Sequence, residues 1–182
     1  MSISSERIME RACGACTVCC TALPIETREL RKAPGVACRH LERSGCAIHA
    51  TRYSVCRSYS CGWLTLPWLD ENFRPEKSGV VISPHDQDLP PGYTQGLEFL
   101  VAGAEAARRS NEFATAITIS IAKGYATFLA VPGPIGHFSA RVFLNGMLAG
   151  AVTRSDTRAV RDLIVKILKS AAGAPFEKMC EI

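Results

Sequence analysis

Cysteine is the residue of this chain best suited to chemistry, and eight of its nine cysteines lie in one stretch, residues 13–61. They are Cys13, Cys16, Cys19, Cys20, Cys38, Cys46, Cys56 and Cys61. Thiolate sulfur is soft and anionic, so it binds zinc and iron tightly. Packing alone does not require so many thiols in so short a segment. We therefore predict that these eight cysteines are metal ligands.

The first four cysteines follow the pattern C-x-x-C-x-x-C-C. C-x-x-C spacing lets one turn of backbone aim two sulfurs at one metal, and the longer run adds a third, as around a four-iron cluster. Adjacent residues point apart, so Cys20 is expected to serve another site or to support the first from outside. Eight thiols supply two four-ligand sites, but the spacing does not decide which cysteines share one. Zinc and an iron–sulfur cluster both fit, and the C-x-x-C-x-x-C run favours iron–sulfur.

Two other interpretations of the thiols are weaker. Disulfides suit a secreted protein, but the first residues carry mixed charge and no apolar signal segment, so a reducing cytoplasm is expected. Inert buried thiols explain one or two cysteines, not eight. His40 and His49 lie among the cysteines and are further candidate ligands, although a surface or supporting role is the more ordinary one. Cys180 stands alone and is expected not to be a ligand.

Net charge is concentrated on the cysteine-rich part of the chain. Residues 1–64 carry nine Arg or Lys against five Glu, whereas residues 65–182 carry twelve of each sign. A basic segment of this kind can attract nucleic acid. It can also offset thiolate charge, since a tetrathiolate zinc site carries about −2. We favour charge compensation, and a nucleic-acid partner is the less expected alternative.

The N-terminal part has too few apolar residues to build a core of its own. Its predicted helices, Ser5–Ala12 and Thr27–Lys32, are short. A metal is therefore expected to staple residues 1–64 as a loop-rich module. Trp63 and Trp68 follow the last cysteine of the stretch. They are expected to dock this module on the rest of the protein, or to shield the metal from water.

Residues 65–182 predict a compact α+β layer. Apolar runs bounded by turn residues indicate about four strands, Gly79–Ser83, Leu97–Ala102, Ala126–Val131 and Arg141–Asn145. One main helix is predicted over Ser110–Lys123, ending at Gly124. A second contains the apolar stripe of residues 160–168 and is capped by Ser155 or Asp156. The predicted fold is α+β, with the cysteine module packed on a small mixed sheet that contains one parallel crossover.

The cysteine pattern resembles that of a known family. C-x-x-C-x-x-C-C is followed by Cys38-Arg39-His40-Leu41, Gly45-Cys46-Ala47-Ile48-His49 and Arg52-x-x-x-Cys56-Arg57-Ser58-Tyr59-Ser60-Cys61. This series is similar to the YkgJ-type cysteine cluster family, described as a zinc- or iron-chelating domain and also found in flagellin lysine N-methylases. All eight cysteine positions match. The chain departs from the family at His49, where Tyr is usual, and at Tyr53, where Pro is usual. The resemblance implies metal chelation by these eight cysteines.

The expected function is that of a cytosolic metal-binding protein holding a thiolate-ligated iron–sulfur cluster, zinc, or one of each. Such a protein acts as an accessory, sensor or interaction protein with a protein partner whose identity the sequence does not give. The alternative is an iron–sulfur-dependent modifying enzyme, as the methylase link implies, although no glycine-rich cofactor loop and no catalytic residues stand out. No segment of about 18 apolar residues is present, so no membrane span is expected.

Overall fold

The computed structural model describes residues 11–103, 111–171, 173 and 175–179. The cysteine-rich part contains short elements, namely β1 (Ile25–Glu26), β2 (Arg31–Lys32), β3 (Leu41–Glu42), β4 (Gly45–Cys46), α1 (Val18–Ala22), α2 (Ser54–Ser58) and α3 (Gly62–Thr65). The rest contains α4 (Pro75–Ser78), β5 (Val80–His85), β6 (Gly96–Val101), α5 (Asn111–Ala122), β7 (Ala126–Val131), β8 (Ala140–Phe143), α6 (Asn145–Thr153) and α7 (Thr157–Ala171). Two 3-10 turns, His49–Thr51 and Glu71–Phe73, complete the described elements.

The main sheet has four strands in the order β5-β6-β7-β8. β6 and β7 are parallel, and the two outer pairings are antiparallel. All six residues of β7 are buried, as expected for a central strand covered on both faces. These observations confirm the predicted α+β layer, its mixed sheet of four strands and its parallel crossover.

One face of the sheet packs against the three long helices. Phe99 and Leu129 of the sheet meet Phe113 of α5, Leu148 of α6 and Ile164 of α7 in one buried cluster. α7 is amphipathic, and its apolar stripe faces this core as its sequence predicts. The Asp156 side chain accepts a hydrogen bond from the Ala159 amide and so caps the start of α7. The main core is therefore built from the C-terminal two thirds of the chain.

Two element predictions differ from the structure. Residues 27–30 form the turn of a hairpin in which β1 and β2 pair antiparallel, so the predicted helix over Thr27–Lys32 is wrong. Thr27 bonds Leu30 through its amide and its hydroxyl, which closes the turn instead of capping a helix. The sequence also predicts two main helices, whereas α6 is a third, and it begins within the predicted strand Arg141–Asn145. Most of the predicted helix Ser5–Ala12 lies outside the described residues.

The other face of the sheet packs against the cysteine-rich segment. Val81, Leu100 and Ala130 are buried there under Val18, Ala22, Leu23 and Tyr59. β1 to β4 are two-residue ladders, so they contribute little regular structure of their own. The thiols are thus carried on loops and single helical turns that lie against a rigid sheet.

Candidate metal centre

All eight cysteines of residues 13–61 are free thiols, and only Cys61 is buried while the others are partly exposed. Within residues 11–103, 111–171, 173 and 175–179, no three His, Cys, Asp or Glu side chains are arranged so that they could hold a metal ion. The predicted ligands lie in one region, but their sulfurs do not converge on a common point. Cys180 lies outside the described residues.

The first thiols lie on a tight turn that leads into α1. The Cys16 amide donates to the Cys13 carbonyl at 3.1 Å, as one turn of a C-x-x-C segment does. Burial, together with a hydrogen bond to Glu76, raises the pKa of the Cys16 thiol to about 11. Burial also raises the pKa of the Cys13 thiol. The backbone here has the compact form that C-x-x-C spacing predicts, with protonated thiols at neutral pH.

Cys19 and Cys20 form a coupled pair on α1. The Cys19 thiol donates a hydrogen bond to the Cys20 sulfur, which lowers the pKa of Cys20 to about 6 and raises that of Cys19. Burial acts against ionisation of Cys20, whereas the positive charges of Lys32 and Arg52 favour it. Cys20 is therefore the thiol of this pair that is already a thiolate near neutral pH, the form that a metal requires.

A small hairpin carries the next two thiols. The Cys38 amide donates to the Cys20 carbonyl at 3.0 Å, which places the start of the hairpin against α1. β3 and β4 then pair with Leu41 opposite Cys46. The Cys38 carbonyl accepts from the Leu41 amide at 2.9 Å, so the backbone turns back sharply between the two cysteines. Residues 38–46, which give no helix or strand pattern in the sequence, are thus held in a defined hairpin.

Cys56 lies on α2 and is linked to the hairpin through Tyr53. The Tyr53 hydroxyl accepts from Arg39 Nη2 at 3.1 Å and lies 3.3 Å from His40 Nε2. Burial raises the pKa of the Cys56 thiol. Thiolate charge on three other cysteines raises it further, and these are Cys20, Cys38 and Cys46. These interactions place four thiols in one electrostatic neighbourhood.

Cys61 precedes α3 and lies at the edge of the main core. Trp63, two residues later, is buried in that core, and the guanidinium groups of Arg11 and Arg74 each lie over its ring, 5.3 Å from the ring centroid. Arg74 Nη2 also donates to the Cys13 carbonyl at 3.4 Å. The indole therefore docks the cysteine segment on the core, as predicted, and Arg74 connects Cys13 to the region of Cys61.

Tyr59 is a second link between the thiols and the sheet. Its hydroxyl lies 2.9 Å from Ser83 Oγ of β5. Burial raises the pKa of Tyr59 well above its usual value. Negative charge on three thiols adds to this effect, and they belong to Cys61, Cys19 and Cys13. Tyr59 is therefore a neutral phenol beside one group of cysteines.

Lys32 is a buried cation beside the other thiols, with 6% of its surface exposed. Its ammonium donates to the carbonyls of Thr21 and Val36 at 2.9 Å each, and to that of Ala33 at 3.3 Å. Burial lowers the pKa of Lys32, whereas the charges of Cys38, Cys20 and Cys19 raise it. A buried lysine needs such partners to remain charged.

The thiols are donors of the chemical type that zinc and iron–sulfur clusters use, and cations lie beside them, but no three of them in the described residues are arranged to hold a metal. Sequence reasoning finds all eight thiols but misses the buried Lys32 and the roles of Arg74 and Tyr53. The one sequence signal for these residues is the excess of basic side chains in this segment, which we predict to offset thiolate charge. His40 contacts Tyr53 and Arg39, and His49 contacts Arg52.

Comparison of the chain with protein-family models, with curated proteins and with solved structures finds no match. The resemblance to the YkgJ-type cysteine cluster family, carried by the cysteine spacing, therefore stays a prediction. Among the helices that the structure describes, the longest and most apolar fall short of what a membrane crossing requires.

Proposed function

We propose that this protein binds zinc or an iron–sulfur cluster through the eight thiols of residues 13–61 and acts as a metal-dependent accessory or sensor protein. The observation that supports the proposal best is that hydrogen bonds hold the loops that carry different thiols against one another. The Cys38 amide, for example, donates to the Cys20 carbonyl at 3.0 Å, and Arg39 Nη2 donates to the hydroxyl of Tyr53, three residues before Cys56. Packing requirements do not bring so many polarizable, ionisable groups together.

The surrounding cations also support metal binding. A cluster of thiolates accumulates negative charge that a divalent metal neutralises only in part. Lys32 and Arg52 provide positive charge beside Cys20. Arg74 and Arg52 do so beside Cys13. Cations of this kind lower the cost of ionising several neighbouring thiols and tune the electronic properties of a bound metal.

Metal binding at the proposed site is expected to depend on pH, because most of its thiols are protonated in the free protein. Ligation requires thiolates, so each thiol that is protonated in the free protein must release a proton when metal binds. The Cys19 proton that bridges to Cys20 is one of these. Cys20, with a pKa of about 6, is the thiol prepared for the first bond to an incoming cation. Metal affinity is therefore expected to rise steeply with pH.

The central experiment is elemental analysis of anaerobically purified protein combined with its ultraviolet–visible spectrum. A brown protein with broad thiolate-to-iron absorption near about 400 nm indicates an iron–sulfur cluster, and a colourless protein with bound zinc indicates thiolate zinc sites. Cys13→Ser and Cys16→Ser are expected to lose metal. Cys180→Ser is the matched control, and it should keep the metal content of the unaltered protein.

Two outcomes would contradict the proposal. One is a folded protein, purified without chelator, that contains neither zinc nor iron and takes up neither under reducing conditions. The other is full metal content in both Cys13→Ser and Cys16→Ser. Circular dichroism of each variant separates loss of metal from loss of fold.

A further inference from the structure

We infer that an exposed basic face of the cysteine-rich segment binds single-stranded nucleic acid. The basic face is a run of touching side chains with three arginines, two histidines and one tyrosine, namely Arg39, His40, His49, Arg52, Tyr53 and Arg57. Residues 37–60 carry four arginines and two histidines against one carboxylate, that of Glu42, so positive charge is concentrated in this part of the chain. The metal-binding function proposed above does not require this face, and the inference goes beyond it.

One half of the basic face is built around Tyr53. Arg39 Nη2 donates to the Tyr53 hydroxyl at 3.1 Å, and Arg39 Nε donates to His40 Nε2 at 3.3 Å. The rings of His40 and Tyr53 pack with their centroids 5.7 Å apart and their planes at 52°. Arg39 is exposed, and the two rings are half-buried. Mutual contacts thus hold a guanidinium group and two aromatic rings together at the surface.

The other half of the basic face is built around Arg52, the residue before Tyr53. The Arg52 guanidinium contacts His49 Nε2, and the Arg52 carbonyl accepts a hydrogen bond from Arg57 Nη1. His49 and Arg57 are exposed. The six side chains therefore form one continuous surface instead of a set of scattered charges.

The arginines of the basic face lack the acidic partners that other arginines of the protein have. Within the part of the chain that the structure describes, none of Arg39, Arg52 and Arg57 pairs with a carboxylate. Glu29 reaches α2, but its carboxylate accepts from Ser54 Oγ at 3.3 Å. Four arginines outside the face each pair with a carboxylate, and they are Arg31, Arg74, Arg141 and Arg161. Guanidinium groups without an internal counter-charge remain available to an anionic partner.

Compensation of thiolate charge does not account for the whole basic face. Among the side chains described, the cations beside Cys13 and Cys20 are Lys32, Arg52 and Arg74. Arg52 therefore serves the thiols as well as the face. The exposed guanidinium groups of Arg39 and Arg57 are left for an anion that arrives from solution.

The aromatic rings of the basic face favour nucleic acid over an acidic protein as the partner. Bases of a single strand stack on aromatic rings and on guanidinium planes, while further arginines contact the phosphates. Tyr53, His40 and Arg39 are groups of the first kind, and Arg57 is placed for the second. An acidic peptide would use the positive charges but not the rings.

The short elements around the basic face favour a single strand over a duplex. Duplex DNA is commonly read by an α-helix or a two-stranded ribbon that enters the major groove. The helix that carries Arg57, α2, has five residues, and the strands of the β3–β4 hairpin that follows Arg39 have two residues each. Such elements are too short to lie along a groove, whereas loops and single turns can follow unpaired nucleotides.

The test measures binding of the full-length protein to a fluorescein-labelled RNA of about 15 nucleotides by fluorescence anisotropy under reducing conditions. Single-stranded DNA of the same sequence, the RNA duplex and polyglutamate are compared with it. Both single strands should bind more tightly than the duplex, and the ratio of their affinities shows whether RNA or DNA is preferred. If three arginines contact phosphates, a plot of log K against log salt should have a slope of about −2.

Variants of the basic face test which side chains carry the binding. Arg39→Gln and Arg57→Gln should each weaken binding and reduce the size of the salt slope by about 0.7. Arg154→Gln is the matched control, because Arg154 is also exposed but lies at the end of α6, and it should bind as the unaltered protein does. Tyr53→Leu should weaken binding about five-fold or more, whereas Tyr53→Phe keeps the ring and should retain most of the affinity. Circular dichroism and elemental analysis of each variant separate loss of binding from loss of fold or metal.

A second measurement on the unaltered protein covers the case in which variants misfold. Phenylglyoxal modifies accessible arginines, and mass spectrometry locates the modified residues. The RNA should protect Arg39 and Arg57 from modification but not Arg154. Absence of saturable binding, equal protection of all three arginines, or displacement of the RNA by polyglutamate of equal total charge would overturn the inference. The metal content of the unaltered protein decides the proposed function independently of these results.

Discussion

Replacing Lys32 by methionine tests the structural account of the cysteine segment directly. Methionine keeps an unbranched apolar stem of similar length, but it removes the ammonium and its three hydrogen bonds to the carbonyls of Thr21, Ala33 and Val36. These bonds tie α1, β2 and the loop before the hairpin to one another. The substitution therefore removes the cation at the centre of these contacts while leaving every thiol in place.

The expected loss of stability follows from burial. Hydrogen bonds that involve a charged group contribute about 1.5–3 kcal/mol each, although part of this gain offsets the cost of burying the ammonium. Because the change also leaves buried carbonyls without a donor, we expect the free energy of unfolding to fall by about 3 kcal/mol. Lys77→Met is the matched control. Lys77 is half exposed and pairs with Glu71 at 3.0 Å, so its loss should cost less than about 1 kcal/mol.

Urea denaturation followed by circular dichroism measures both variants under reducing conditions. The denaturation midpoint should fall for Lys32→Met with little change in the slope, since the surface exposed on unfolding is nearly the same. A loss for Lys32→Met that is no greater than that for Lys77→Met would show that the buried ammonium does not hold the segment together.

Three further predictions concern other parts of the molecule. Gly62→Ala places a Cβ 2.7 Å from Ile82 Cγ2, so it should lower the free energy of unfolding by about 1–3 kcal/mol. The control, Gly146→Ala, places its Cβ in open space in α6 and should not destabilise the protein. Equal melting temperatures of the two variants would contradict the close packing of Gly62 on Ile82. Asn145→Ala removes the acceptor of the buried Thr127 amide and should cost about 2 kcal/mol in chemical denaturation, and a loss below about 0.5 kcal/mol would argue against this bond. In metal-free protein, burial holds the pKa of several thiols above the pKa that they have in the unfolded chain. The stability that these thiols contribute is therefore complete below about pH 8.5, and it is lost as the pH rises through their pKa values in the folded protein. The urea midpoint should therefore fall above about pH 8.5, and a midpoint that stays constant or rises there would refute this linkage.

The layer over residues 65–182 could be predicted from sequence because its signals are local and strong. Ala126–Val131 is a continuous apolar run bounded by turn residues, and it forms β7 with the predicted bounds. Gly124 has φ +85°, the left-handed conformation in which a helix commonly ends at glycine. α6 was missed because its start lies at Asn145, whose side chain bonds the Thr127 amide and the Tyr125 carbonyl. That start depends on tertiary contacts that no local pattern carries.

The cysteine-rich segment could be predicted only in part. The identity of the candidate ligands follows from residue type and spacing, but their grouping depends on contacts between distant residues. The Cys38 amide to Cys20 carbonyl bond, for instance, joins residues eighteen positions apart. Thr27–Lys32 carries a plausible helix signal, but Lys32 is held by carbonyls of neighbouring loops, and hairpin pairing with β1 prevails. Tertiary context overrides propensity in a segment this short.

The second face of the sheet has a consequence for the life of the protein in a cell. Val81, Leu100 and Ala130 are covered by side chains of the same short segment that carries the thiols. If the proposed metal holds that segment in place, its withdrawal would make an apolar strip along three neighbouring strands accessible. Such strips are recognised by chaperones and proteases and promote aggregation. On the proposed function, the lifetime of the polypeptide would then follow the supply of that metal.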